Sequence, residues 1–333
     1  LSDAYGFDGN DFERKDQAYQ KNHIINGGMQ ISQRGQVFAT APSNNFIYGG
    51  ADRIASTVSF ATTASWNVVI GGTTAQGGGI AIGNSQTGSV QSTEITAITG
   101  TGAVSWEYRI EAKDAAKFAG KTMTFSCSRS ATAGTATGAS FDIMKPTALD
   151  NWAVAAFITS KASTLNLSGG RTIDSITYTF TQADVQNGLA FRASVTGVTA
   201  VGYFQTGDWQ LTESSEVLPW RSAGAGQAEE LAMCQRYFQK RNTSRMPTTQ
   251  VSASTVYGPT IQWTQQMRVS PAITYTGASS ENRVRISGVW QELIPSAINN
   301  DVDALSLNWS VTGAGVDGDA VTSDISLTAD AEL

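Results

Sequence analysis

The sequence contains one histidine, His23, and two cysteines, Cys127 and Cys234, in 333 residues. That scarcity narrows the chemistry before any pattern is read. Zinc sites need clustered His and Cys, and a single histidine would have to serve any Ser-His-Asp or Cys-His arrangement. No Ser or Cys stands in a nucleophile-elbow context. His23 is therefore read as a packing residue, partly exposed, where the chain enters its first domain. Two cysteines are too few for a disulfide framework. Each sits among apolar residues without CxxC spacing, so both read as buried free thiols. Charge is scarce as well, at 15% of residues, and Thr40 to Trp106 carries only Asp52, Arg53 and Glu94. The net charge of −6 would repel a phosphate backbone, which argues against nucleic acid as a partner. Long apolar runs are also missing. None approaches the roughly 18 residues of a membrane span, so no membrane insertion is expected, and no signal peptide is recognisable.

Other features are abundant. Apolar residues make up 41% of the chain and glycine accounts for 33 positions, which excludes a disordered polyampholyte. The length suggests about two domains. From Asn26 to Trp220 the pattern is one of short strands between turn signals. Trp106, Tyr108 and Ile110 alternate with Glu107, Arg109 and Glu111. Met123, Phe125 and Cys127 alternate with Thr122, Thr124 and Ser126, and Ile176, Tyr178 and Phe180 with Ser175, Thr177 and Thr179. Leu189, Phe191, Ala193 and Val195 follow the turn signal Asn187-Gly188. Period-2 alternation buries one face of each strand and wets the other. Many such strands without intervening helices predict a mainly β fold, a jelly roll or β-sandwich.

The boundaries follow from composition. Residues 1–25 are polar and mixed in charge and read as a connector or attachment arm, with a short helix around 11–21. The jelly roll occupies 26–221. The Ser222-Ala223-Gly224-Ala225-Gly226 stretch reads as a linker. A helix is expected from Ala228 to Lys240, with Leu231, Cys234 and Phe238 at helical spacing and acids leading, bases trailing. It opens a smaller β-rich C-terminal domain, 227–333, whose clearest strand alternates Leu305, Leu307, Trp309 and Val311 with Ser306, Asn308 and Ser310.

Runs in three parts of the chain, its start, its middle and the stretch that ends the jelly roll, resemble phage and prophage tail-fibre or virion-spike proteins, including the spikes of gene transfer agents. Asn22-His23-Ile24-Ile25-Asn26-Gly27-Gly28-Met29-Gln30-Ile31-Ser32-Gln33-Arg34-Gly35 resembles the run that leads into their jelly roll. Arg109-Ile110-Glu111 and Phe118 to Ser126 resemble the family's central strand. Asp208 to Glu213 with Leu218-Pro219-Trp220-Arg221 resembles the closing strand, and Glu229 to Phe238 resembles the run that follows it. The resemblance implies a carbohydrate-binding jelly roll on an extracellular particle, a homotrimer attached to other virion proteins through its N-terminal arm. It does not locate a sugar site.

Candidate chemistry is sparse. Gly77 to Gly83 matches neither GxGxxG nor a P-loop and reads as a turn or bulge. Asp8-Gly9-Asn10-Asp11 and Asp317-Gly318-Asp319 are fragments of calcium loops, so no cofactor is expected and a structural calcium stays an open alternative. A depolymerase needs two acids about 5–10 Å apart. Glu94, Glu107, Glu111, Asp142, Asp208 and Glu213 lie in the β-rich domain, and a solvated face is the better reading of Glu107 and Glu111. Sugar binding needs aromatic rings beside amides or hydroxyls. Trp66 with Asn67, Trp152 with Asn151, and Tyr48 meet that requirement, whereas Trp106 and Trp209 belong to alternating strands and are expected in the core. The sequence reading is thus a non-catalytic fibre or spike protein that binds a host cell-surface polysaccharide. A purely structural spike or collar protein and a polysaccharide depolymerase are the alternatives.

Overall fold

The structure is a computed structural model. It describes residues 21–34, 37–40, 43–48, 51–60, 66–70, 93–96, 101–132, 136, 138–163, 172–199, 203–252, 255–257, 260–275, 283–286, 289–292, 294–300, 303–310 and 320–332. The expected N-terminal helix, the Gly77–Gly83 run and both calcium-loop fragments lie outside them. Among the described residues no helix is long and apolar enough to cross a membrane. The chain divides into two compact units between Leu231 and Ala232.

The first unit is a sandwich of two six-stranded antiparallel sheets. In chain order its strands are β1 (Val37–Thr40), β2 (Ser43–Tyr48), β3 (Ile54–Phe60), β4 (Trp66–Ile70), β5 (Thr93–Thr96), β6 (Thr101–Ile110), β7 (Thr122–Thr132), β8 (Gly138–Ala148), β9 (Asn151–Ser163), β10 (Thr172–Thr179), β11 (Leu189–Thr199) and β12 (Tyr203–Thr212). One sheet runs β1-β4-β5-β12-β7-β10 and the other β2-β3-β6-β11-β8-β9. Strands that neighbour one another in sequence are repeatedly sent to opposite sheets, which is the winding of a jelly roll.

The core forms where the alternation predicted it. Trp106, Tyr108, Met123, Phe125, Cys127, Leu189, Phe191, Ala193, Val195 and Trp209 are all buried. Phe125 of β7 is the centre of this packing. It stacks on Phe141 of β8 at 4.3 Å between ring centroids, and meets Phe191 of β11 at 4.9 Å and Trp209 of β12 at 5.2 Å. One ring thus joins both sheets, and such aromatic contacts add to the area each side chain removes from water. Cys127 and Cys234 are buried thiols, not joined in a disulfide. Burial pushes the Cys127 thiol up to about 12, which makes it inert near neutral pH.

The tail-fibre-like run at Asn22–Gln33 holds the sandwich together at its opening. Asn22 Nδ2 donates to Trp209 O at 3.0 Å and to Arg221 O at 2.9 Å, while its Oδ1 accepts from Ile24 N and Leu211 N. Asn26, at φ 58°, donates from Nδ2 to Ile31 O and Asp52 O. A Cβ on Gly27 would lie 2.0 Å from Trp209 O, so only glycine allows that approach. The motif is a backbone clamp built from side-chain amides. His23 packs edge-on against Phe118 at 5.0 Å. Burial first, then Lys117, Lys21 and Lys121, lower its pKa to about 3, so it is neutral at pH 7.

The linker leads into a helix, α1, but it spans Gln227–Gln235 and not Ala228 to Lys240. Tyr237 N donates to Cys234 O, which tightens the last turn, and Phe238 opens a strand, Phe238–Ser252. That strand pairs with Ala320–Asp330 through Phe238↔Asp330 and Lys240↔Thr328. The apolar residue at 238 therefore continues a ladder, not the helix stripe, because aromatic side chains favour a pleated, half-buried surface. The second unit is a nine-stranded antiparallel sheet containing this pair and the strand Ala304–Ser310. Mainly β architecture, a short helix and a smaller β-rich C-terminal part agree with the sequence reading.

Candidate functional site

The two sheets of the sandwich treat their outer faces differently. On β7 and β12 the outward residues are largely covered by the chain that follows β12. Thr124 Oγ1 donates to Ser214 O at 2.7 Å, Gln210 Nε2 donates to Leu218 O at 3.2 Å, and Arg221 N donates to Gln210 Oε1 at 2.8 Å. Leu218 to Arg221, expected to close a strand, lies across the sheet instead. On the other sheet no such segment intervenes among the described residues, and a groove of about 860 Å³ lies over the strands.

Beneath the groove runs a cross-strand row, of which Arg192 lines the groove itself. Register places Ala55 of β3 beside Glu107 of β6, Glu107 beside Arg192 of β11, Arg192 beside Asp142 of β8, and Asp142 beside Ser160 of β9. Glu107 sits between two arginines. Arg109 Nε donates to its Oε1 at 2.7 Å, and Arg192 donates to its Oε2 from Nε at 2.9 Å and Nη2 at 2.6 Å. Glu107 is 1% exposed, which corrects the expectation of a solvated face. The alternation was read correctly but the outward side is a concave surface filled by long side chains, and two guanidiniums cover the carboxylate. Asp142 is likewise occupied, accepting from Ser140 Oγ at 2.9 Å and Ser160 Oγ at 2.5 Å. The next row is neutral, with Ser105 Oγ donating to Ser194 Oγ at 2.9 Å.

The walls are aromatic. The Arg192 guanidinium lies 4.7 Å and that of Arg109 5.7 Å from the Phe46 ring of β2, and Arg109 is also 5.4 Å from Trp152. Trp152 and Asn151 open β9 just after the turn at Asp150, whose φ is 48°. Asp150 Oδ1 accepts from Ala112 N at 2.8 Å, and Asp150 N donates to Asn187 O, so the turn is anchored from two sides. Gly188, at φ 110°, lies so near that a Cβ would stand 3.1 Å from Trp152 Cζ2. Ala153, Ala155 and Phe157 continue the wall along β9. Phe157 is 61% exposed, a large apolar ring open to solvent beside two alanines that leave room over the sheet.

The structure thus brings Trp152 and Asn151 together in the groove. Tyr48 ends β2, and the Arg34 guanidinium lies 5.7 Å from its ring; it does not line the groove. Trp66 and Asn67 begin β4 in the opposite sheet, paired with Thr40 and Ala39, and their side chains lie outside the described residues. Sequence reasoning missed Phe46, Phe157, Arg109 and Arg192 as groove residues. The available signal was the Ala153-Val154-Ala155-Ala156-Phe157 run, a single aromatic in a series of small residues. The two arginines at alternate positions to core residues looked like ordinary surface. Among the described residues no three His, Cys, Asp or Glu side chains cluster as a metal would need.

These features define the class: a jelly-roll β-sandwich with one covered and one open, grooved face. No protein-family model matches the chain, and no curated protein matches it. Solved structures do. The chain is similar to the enzymatically active domain of bacteriophage CBA120 tailspike protein 4, at 11% identity over 57% of this chain and 21% of that one, with a TM-score of 0.35. It is similar to a CBM4 protein at 13% identity, over 57% of this chain and 99% of that one, with a TM-score of 0.33. It is also similar to a promiscuous carbohydrate-binding module of the β-sandwich superfamily, at 14% identity, 58% and 62% coverage and a TM-score of 0.32. The chain spans about a fifth of the tailspike domain.

Proposed function

We propose that this protein is a non-catalytic fibre or spike protein of a phage-like particle, and that its jelly roll binds host cell-surface polysaccharide in the groove over β6, β11, β8 and β9. The observation that carries the reading is the open groove with Trp152, Phe157 and Phe46 around a hydrogen-bonding floor. Pyranose rings present apolar C–H faces that stack on aromatic side chains, and their hydroxyls need fixed donors and acceptors such as the Ser105–Ser194 pair and the arginines. A groove, not an enclosed cavity, admits an internal stretch of a long chain.

The two carboxylates beneath the groove support the non-catalytic part. Both Glu107 oxygens are taken by guanidiniums and both Asp142 oxygens by serine hydroxyls. A general acid or nucleophile must instead have an oxygen within reach of the glycosidic bond. The particle assignment rests on the tail-fibre-like runs, with residues 1–25 as the attachment arm and a homotrimer as the assembly. Several copies on one fibre would raise avidity without new contacts.

The test is binding of fluorescently labelled protein to capsulated cells and to the same cells stripped of capsule. Capsule-dependent binding that Trp152→Ala reduces, with no reducing ends released from the purified polysaccharide, is the expected result. Equal binding with and without capsule, or steady release of reducing ends, overturns the reading.

A further inference from the structure

The charges on the groove floor are not equally accessible. The carboxylates are covered: the Glu107 side chain is 2% exposed and Asp142 is 3% exposed. The guanidiniums are not, with 22% of the Arg192 side chain and 12% of the Arg109 side chain exposed. Asp150, the acid at the rim, commits Oδ1 to Ala112 N. Formal charge on the floor is balanced, and the floor charges that a ligand can touch are the two guanidiniums, with Asp150 a single carboxylate at the rim.

Arg192 is also prepared for a second partner. Its Nε and Nη2 both donate to the single oxygen Oε2 of Glu107, and its plane is held against Phe46. Its Nη1 makes no hydrogen bond among the described residues, and Arg192 is one of the groove's lining residues. A guanidinium fixed by a buried carboxylate and an aromatic ring offers its remaining donors in a set direction, with little side-chain freedom left to lose on binding. The group that matches such a donor is a planar carboxylate.

Resting on the reading of the groove as a glycan site, we infer that its ligand is an acidic polysaccharide, with a uronate or similar carboxylate-bearing sugar whose carboxylate is received by Arg192 while neighbouring rings lie against Trp152 and Phe157. The protein's net charge of −6 makes the inference sharper. A polyanion is repelled by the surface at large, so attachment to one requires a local site and not general adhesion.

The experiment uses the full chain and a panel of hyaluronate, alginate and polygalacturonate, each beside its carboxyl-reduced form, with neutral dextran and xylan, followed by titration calorimetry. The expected result is binding to at least one acidic probe that weakens roughly tenfold to a hundredfold on carboxyl reduction, the range of one charge-assisted hydrogen-bonded contact. Arg192→Gln should weaken binding to the acidic probe by a similar factor. Because Arg192→Gln leaves Glu107 with one arginine and could unfold the sheet, Arg192→Lys is measured beside it, and should retain fold and part of the affinity. Binding to an acidic probe and its carboxyl-reduced form with equal affinity, sensitive to Trp152→Ala, overturns the acidic inference and leaves the glycan groove standing. Binding to none of the probes, neutral ones included, overturns both.

Discussion

The two outer faces of the sandwich are made from similar strands and end up opposite in character. On β7 and β10 the outward residues are uncharged and include threonines that hydrogen-bond across the strands, Thr122 to Thr179 and Thr124 to Thr177, both at 2.8 Å. Beyond them the chain's own 214–221 segment lies over the sheet. On β6, β11 and β8 the outward residues include Glu107, Arg192 and Asp142, and among the described residues no following segment is laid over them. A neutral hydroxyl ladder can be covered by backbone carbonyls at little cost. A row of charges is costlier to cover, because each needs a full set of partners away from water, and here the arginines and serines of the same face already serve Glu107 and Asp142. The charged sheet therefore stays open, and it is the one whose rim bears Trp152 and Phe157. Charge on the outside of a strand predicted solvent; here it lies beneath a groove, with Glu107 and Asp142 buried among their partners.

Removing Glu107 should break the comparison most severely. Glu107→Ala leaves Arg109 and Arg192 without their shared carboxylate in a largely buried site, and a loss of about 3 kcal/mol in urea unfolding is expected. The next effect is on binding alone. Phe157 is 61% exposed on the grooved sheet and Ile173 44% exposed on β10 of the covered sheet. Phe157→Ser should weaken polysaccharide binding by about tenfold, since a stacked ring gives most to a contact of this kind. Ile173→Ser should leave affinity unchanged, and both variants should unfold with the wild type. Equal losses of affinity would show that the ligand does not distinguish the faces. Thr124→Val is smaller again. It deletes the donor to Ser214 O that starts the covering segment, and about 1 kcal/mol is expected, read as a shift in unfolding midpoint.

The legibility of these features follows from what period-2 patterns encode. Trp106, Phe125, Phe191 and Trp209 could be assigned to the core because alternation fixes which side of a strand is apolar. The same pattern says nothing about curvature or about what covers the polar side, so Glu107 looked like ordinary surface. Trp152 and Asn151 were legible because a turn beside Asp150 placed an aromatic at a rim. Phe157 was not, since its face depends on irregular pairing between Ile143 and Met144 on the partner strand, and a bulge is invisible to spacing. The helix end at Gln235 was misplaced for a related reason. Cys234 and Phe238 satisfy helical spacing, but Phe238 has a strand at Ala320–Asp330 to pair with, and long-range pairing outweighed the local pattern.

The smallest expected effect tests the neutral side of the comparison. Thr122 and Thr179 face each other in register at the end of the β7–β10 pair, where Thr179 is exposed and the bond between the hydroxyls is open to water. Replacing both by valine removes a donor and an acceptor together, so no orphaned polar atom remains, and keeps two β-branched side chains in contact across the strands. Each hydroxyl exchanges a mutual bond for none while the released water bonds to water. The Thr122→Val, Thr179→Val double variant should therefore lie within about 0.5 kcal/mol of wild type in urea unfolding. A loss as large as that of Glu107→Ala would mean that the hydroxyl ladder, and not its cover, holds this sheet's edge, and the contrast between a neutral sheet that can be covered and a charged one that is costlier to cover would fail.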